Sequence, residues 1–141
     1  MASDYISDSL RKVVSARAQN RCEYCKCSAN FTTETFSIEH ILPRSLGGGN
    51  TLGNLAWSCM GCNIYKGAKI QGLDSVISEM VAIFNPRQQE WHQHFTWSQD
   101  FCEMSGRTAI GRVSIVVLKL NRHGVVNLRH VLTQVGKHPP G

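Results

Sequence analysis

Long apolar runs are missing from this sequence of 141 residues. The most apolar stretch, Val113 to Leu120, is short and is interrupted by Ser114 and Lys119, whereas a membrane-spanning helix needs about 20 such residues. No transmembrane helix is therefore expected. The opening residues, Met1 to Ser9, lack the basic-then-apolar order of a secretory signal, so the expected location is the cytoplasm. Internal repeats and long low-complexity tracts are also absent, and 141 residues are enough to bury roughly two thirds of the unfolded surface. The expectation is one domain over residues 1–141. Acidic residues are the scarce charge: 10 Asp and Glu face 15 Lys and Arg, giving +5 and a pI near 9.0. That balance favours a polyanionic partner, because each phosphate neutralised by Lys or Arg releases condensed counterions.

Cysteine, in contrast, is plentiful. Six are present, and four form two Cys-x-x-Cys pairs, Cys22 with Cys25 and Cys59 with Cys62. In a chain with no export signal this pattern reads as thiolate metal ligation, not as disulfides. Four thiolates close a tetrahedral zinc shell and leave no position for a substrate water, so the zinc is structural. Such a shell contributes on the order of 10 kcal/mol of apparent binding energy to folding. A pair of redox dithiols is the competing reading, but it gives no account of the residues between the pairs. Cys27, two residues past Cys25, is an alternative ligand, and Cys102 reads as a small buried apolar residue.

Periodicity organises the rest. Leu10, Val13, Val14 and Arg17 recur at helical spacing, predicting a helix from about Asp8 to Gln19 capped by Ser7 or Asp8. Thr35 to His40 alternates as a half-buried strand, Pro43 and Gly47-Gly48-Gly49 open a loop, and Leu55 to Ser58 reads as a second strand. A helix from Met60 to about Ala68 follows. Beyond Ile70, Asn85-Pro86 suggests an N-cap and N1 pair for a helix over Arg87 to Phe95, and Trp97 to Ser105 holds one strand. Ile110, Val113, Val117 and Leu120 share a helical face after Thr108, although the β-branched run Ile115-Val116-Val117 argues for a strand; helix is the choice. Leu128, Val131, Leu132 and Val135 predict a last helix ended by Gly136, with Pro139-Pro140-Gly141 as a tail. The expected layout is an N-terminal helix (1–20), a zinc-stabilised core (21–70) and a helical and strand extension (71–141).

Between the cysteine pairs stand Glu39-His40, Asn54 and Asn63. Hydrolysis of a phosphodiester needs a deprotonated water and a counter-charge for the leaving oxygen. A neutral histidine can take the proton, and carboxylate and amide oxygens suit Mg²⁺ or Mn²⁺. In that order and spacing, these residues and the Asn63-Ile64-Tyr65-Lys66-Gly67 run resemble the HNH endonuclease family over roughly residues 20–70. The separations of His40 from Asn54 and Asn63 also match the HNH domains of RNA-guided DNA nucleases.

The resemblance implies an α+β fold built on the ββα-metal (His-Me) finger, flanked by helices and a short strand. It implies His40 as general base, Asn54 as the residue that braces the hairpin, and Glu39 with Asn63 as ligands of the catalytic Mg²⁺ or Mn²⁺. Glu39 stands where many members carry Asp. The implied reaction is metal-dependent DNA cleavage leaving a 5′-phosphate and a 3′-hydroxyl, with double-stranded DNA as partner and a monomer or weak dimer as the working unit. Arg44 and Lys66 are the expected phosphate contacts, and Arg107, Arg112, Lys119, Arg122, Arg129 and Lys137 could extend the basic track. The alternative is a zinc-finger-like nucleic-acid-binding or interaction module that does not cut.

Overall fold

A computed structural model describes residues 5–140. Residues 1–4 and Gly141 lie outside it, and with them the first four residues of the leader reading and the last residue of the tail. Helix α1, Asp8–Arg17, starts where Ser7 Oγ accepts from the Leu10 amide at 3.2 Å, so Ser7 is the cap of the two considered. The first cysteine pair follows it. Strands β1 (Phe36–His40) and β2 (Leu55–Cys59) pair antiparallel, with Phe36 opposite Cys59 and His40 opposite Leu55. Helix α2, Met60–Lys66, leaves β2 without a break, with Cys59 as its N-cap and Cys62 in its first turn.

The long connection between β1 and β2 is held by Asn54. Its Oδ1 accepts from the Leu42 amide at 2.8 Å while its Nδ2 donates to the carbonyls of Leu42 and Gly49. Gly48 is required at that crossing, because a Cβ there would overlap the Leu42 carbonyl.

Beyond α2 the expectations need correction. Strands β3 (Gln71–Asp74) and β4 (Glu79–Ala82) form a hairpin that the sequence reading did not place. Its inward positions are Gly72 and Asp74, while Leu73 and Met80 face solvent. Gly72 lies against Val113 and Val117 with no room for a side chain, and Asp74 takes a two-pronged ion pair from Arg112. The helix expected over Arg87–Phe95 is reduced to α3, Trp91–His94. Asn85 Oδ1 does accept from the Arg87 amide, but Glu90 is extended and breaks the run. In place of one strand within Trp97–Ser105, β5 (Phe95–Trp97) and β6 (Met104–Gly106) form a third hairpin around a turn held by Ser98 and Asp100. The chain is thus α+β, with the expected β1–β2 sheet and two further two-stranded sheets where one flanking strand was expected.

Helix α4, Ala109–Leu118, confirms helix over strand for the β-branched run, and Thr108 Oγ1 caps it by accepting from the Gly111 amide. It packs on β3, β4 and β6 with Val113 and Leu118 inward. Helix α5, His123–Gln134, follows. Arg129 on α5 is 1% exposed and bonds the carbonyls of Cys25, Cys102 and Leu120, so a residue counted towards a basic track is instead a core tie. No helix among the described residues is long and apolar enough to cross a membrane.

Candidate active site and metal centre

The four cysteines expected to bind metal come together. Cys22, Cys25, Cys59 and Cys62 are buried, and their sulfurs all lie within 4.8 Å of one another. Cys25 Sγ stands 3.7 Å from Cys59 Sγ, close to the edge of about 3.8 Å that a tetrahedron of Zn–S bonds near 2.3 Å would have. The first knuckle supplies its pair from the loop after α1, and the second from the junction of β2 and α2. Hydrogen bonds from Cys22, Cys25, Cys27 and Cys62 pull the Cys59 thiol down, while bonds among the same sulfurs push Cys62 and Cys25 up. Buried sulfurs this close cannot all ionise without a cation among them, so the donor set fits a soft dication. Cys27 does not replace a ligand of this set, but its sulfur is 3.3 Å from that of Cys25, and with Glu34 and Cys59 it forms a second, overlapping group.

One arginine reaches the cluster sulfurs from the far end of the chain. Arg122 Nη2 is 3.3 Å from Cys59 Sγ and its Nη1 is 3.5 Å from Cys62 Sγ. Burial works against that guanidinium, but the sulfurs of Cys62, Cys25 and Cys59 outweigh it and hold its pKa above the ordinary arginine value. No spacing rule could have found this contact across some sixty positions; a basic side chain near thiolates is legible only once the fold brings them together.

The second constellation lies at the end of the β1–β2 hairpin. Glu39, His40, Arg44 and Asn63 line one open cleft, together with Ile38 and Pro43. His40 is half-buried, and its Nε2 stands 2.7 Å from Asn50 Oδ1. Asn63, on the first turn of α2, donates from Nδ2 to Ser37 Oγ at 2.9 Å, which turns its Oδ1 away from Ser37. Arg44 is exposed on the loop after His40. Asn54 stands apart from the cleft and holds the loop by the three bonds described above.

Glu39, the expected metal ligand, and Lys66, an expected phosphate contact, form an ion pair with each other. Lys66 Nζ lies 2.6 Å from Glu39 Oε1 and also donates to the carbonyls of His40 and Ile41. Both side chains are almost wholly buried. The Tyr24 hydroxyl donates to Glu39 Oε2 at 2.7 Å. Burial pushes the Glu39 carboxyl up, and Lys66 and Tyr24 pull it back towards ionisation. A carboxylate offers about four lone-pair sites, of which these partners use two, so Glu39 keeps acceptor capacity towards the cleft. Tyr24, Ser37 and Asn50 are site residues the sequence reading missed. Tyr24 sits inside the first knuckle and was visible as a motif letter only.

Residues 22–73 match the family model described as HNH endonuclease. The matched span contains all four clustered cysteines, Glu39, His40, Asn54, Asn63 and Lys66. No curated protein and no solved structure matches the chain.

Proposed function

We propose that this protein is an endonuclease that hydrolyses DNA phosphodiester bonds with His40 as general base and a divalent metal. The observation that carries the reading is the convergence of Glu39, His40, Arg44 and Asn63 on one cleft inside the span that matches the HNH family. The order β1, loop, β2, α2 is the order of a ββα-metal finger, and we read it as one. The four-cysteine cluster is read as a structural zinc site, and residues 71–141 as part of the same domain. Location in the cytoplasm and a monomer or weak dimer belong to the same proposal, since one site cuts one strand.

In this mechanism the His40 imidazole takes the proton of the attacking water, and Asn50 fixes the ring by the bond to Nε2. Asn54 contributes no proton; it keeps the loop closed so that His40 faces the cleft. Glu39 and the outward Oδ1 of Asn63 are oxygen donors that fit Mg²⁺ or Mn²⁺. When bound, that ion supplies charge neutralisation for the phosphate and acidifies a coordinated water. Lys66 holds Glu39 and the His40 carbonyl from behind, which makes it a positioning residue, and Arg44 is the proposed phosphate contact.

A second reading has one observation in its favour. Glu39 is ion-paired with Lys66 and His40 is bonded to Asn50, an arrangement in which the groups hold each other and the chain serves as a non-catalytic zinc-finger-like binding module. Incubation of purified protein with supercoiled plasmid and Mg²⁺ or Mn²⁺, beside His40→Ala, separates the two. Nicking by the wild type and not by the variant is expected. Equal nicking by both removes the base assignment, and nicking by neither favours the binding module.

A further inference from the structure

The inverted β3–β4 hairpin leaves an apolar face in solvent. Gly72 and Asp74 turn towards α4, so Leu73 and its cross-strand partner Met80 turn away from it. At the tip stand Val76 and Ile77, on a turn closed by the Ser78 amide, which donates to the Asp74 carbonyl at 2.8 Å. Arg112 grips the Asp74 carboxylate from α4, which makes the tip a fixed projection. Beside the hairpin runs a groove of about 480 Å³. Its floor is Val113, Ile115 and Val116 of α4, one bank is Leu73 to Ser75, and the other is Met104 to Gly106 of β6. Leu73, Val76, Ile77, Met80 and Val116 are 46–71% exposed. Single apolar residues are ordinary on a surface, but five that adjoin on one hairpin and its neighbouring helix form a patch of the kind that marks an interface.

We propose that this face is the contact between two copies of the chain, with the Val76–Ile77 tip of each seated in the groove of the other. Tip and groove adjoin on one face, as a two-fold contact requires, because each copy must offer both halves of the fit. Such a contact closes at two copies. Charge selects the same occupant: residues 70–86 contain no Lys, Arg or His although the chain carries 15 Lys and Arg, and the cation lining the groove, Arg112, is paired with Asp74. DNA would find no phosphate partner here, whereas two chains of formal charge +5 meet with least repulsion on a face of this kind. Area sets the strength. The five side chains display on the order of 500 Å² per copy, so a two-fold contact buries about 1,000 Å², which is the lower limit for a specific interface and the range of weak, transient ones. The dimer is therefore reversible, with a dissociation constant on the order of 10–100 μM.

The contact uses none of the cleft residues, so its test is independent of cleavage. Sedimentation equilibrium of the metal-loaded protein without DNA, from about 5 to about 500 μM, should show a reversible monomer–dimer equilibrium that persists in about 1 M NaCl, where charge-driven association is screened. Leu73→Lys with Val116→Lys should raise the dissociation constant at least about ten-fold at unchanged metal content and Tm. Val131→Lys, at an exposed valine on α5, should leave it at the wild-type value. Hydrogen exchange compared at low and high concentration should show protection gained within residues 71–82 and 113–116. A wild type that stays monomeric throughout, association that is lost in high salt or survives the double substitution, or protection confined to other segments overturns the proposal. Plasmid nicking is scored separately. Nicking by a protein that stays monomeric removes this inference alone, and a dimer that does not nick removes the nuclease reading alone.

Discussion

The Lys66 ammonium sits 2.6 Å from the Glu39 carboxylate in a place where the two side chains are 2% and 3% exposed. This pair is more enclosed than the Arg87–Glu23 and Arg112–Asp74 pairs, and it lies behind the strand end that carries His40. Its remaining bonds, from Lys66 to the His40 and Ile41 carbonyls and from Tyr24 to Glu39, extend the hold to the backbone. Breaking one partner of a buried pair leaves an uncompensated charge, which is worse than removing both.

Lys66→Ala should therefore destabilise the zinc-loaded protein by about 3–5 kcal/mol in urea unfolding. The double variant Lys66→Met with Glu39→Gln should recover much of that loss. A Lys66→Ala protein as stable as the wild type would show that water reaches the pair.

Arg122→Gln removes two N–H donors from the Cys59 and Cys62 sulfurs. Hydrogen bonds to charged groups contribute about 1.5–3 kcal/mol, and partial exposure of this guanidinium brings the expected loss nearer about 1 kcal/mol. Metal release to a competing chromogenic chelator should accelerate at the same time. Release at the wild-type rate would make Arg122 a bystander of the cluster.

Chelation should distinguish the two proposed metal sites. Brief EDTA treatment is expected to remove cleavage while circular dichroism and zinc content persist, because oxygen donors in an open cleft exchange a hard ion far faster than four buried thiolates release zinc. Mg²⁺ or Mn²⁺ should restore cutting without added zinc, and Asn63→Ala should blunt that response. Recovery with Zn²⁺ alone would contradict the assignment of the cleft.

His138 provides a pH test. Burial holds its imidazole below the usual histidine range, against the bond to the Phe101 carbonyl, and Arg129 and Arg21 add to the lowering. The unfolded chain thus binds a proton more readily near pH 6 than the native one does. The stability His138 contributes is present above its unfolded value of about 6.5 and is lost as pH falls through the depressed native value. The difference in Tm between wild type and His138→Gln should shrink from pH 7.5 to pH 5.5. A constant difference would mean that the ring is protonated equally in both states.

The parts legible in the sequence were those in which pattern and burial agree. Ser7, the alternation of Phe36 to His40, and the helical face of Ile110, Val113 and Val117 each predicted an element that is present. The β3–β4 hairpin escaped because its pattern is inverted: the small Gly72 and the charged Asp74 face inward, and Leu73 and Met80 face out, so hydrophobic alternation points the wrong way. Asn85-Pro86 misled in another manner, since a cap marks a turn as readily as a helix start and Glu90 ends the run. At the site, local spacing brought forward the four cysteines and the cleft residues. The partners that fix them, Tyr24, Asn50 and Arg122, are chosen by tertiary proximity, for which the sequence carries no periodic signal.

Arg129 donates to the carbonyl of Cys25 across 104 positions of chain. During synthesis the knuckles and the hairpin are therefore complete long before the side chain that braces the first of them exists. The proposed zinc ligands all lie within residues 22–62, whereas the final geometry around Cys25 waits for α5 to be made and docked. If the cluster holds zinc as proposed, synthesis would set the order of folding, with the metal taken up first and the clamp added last.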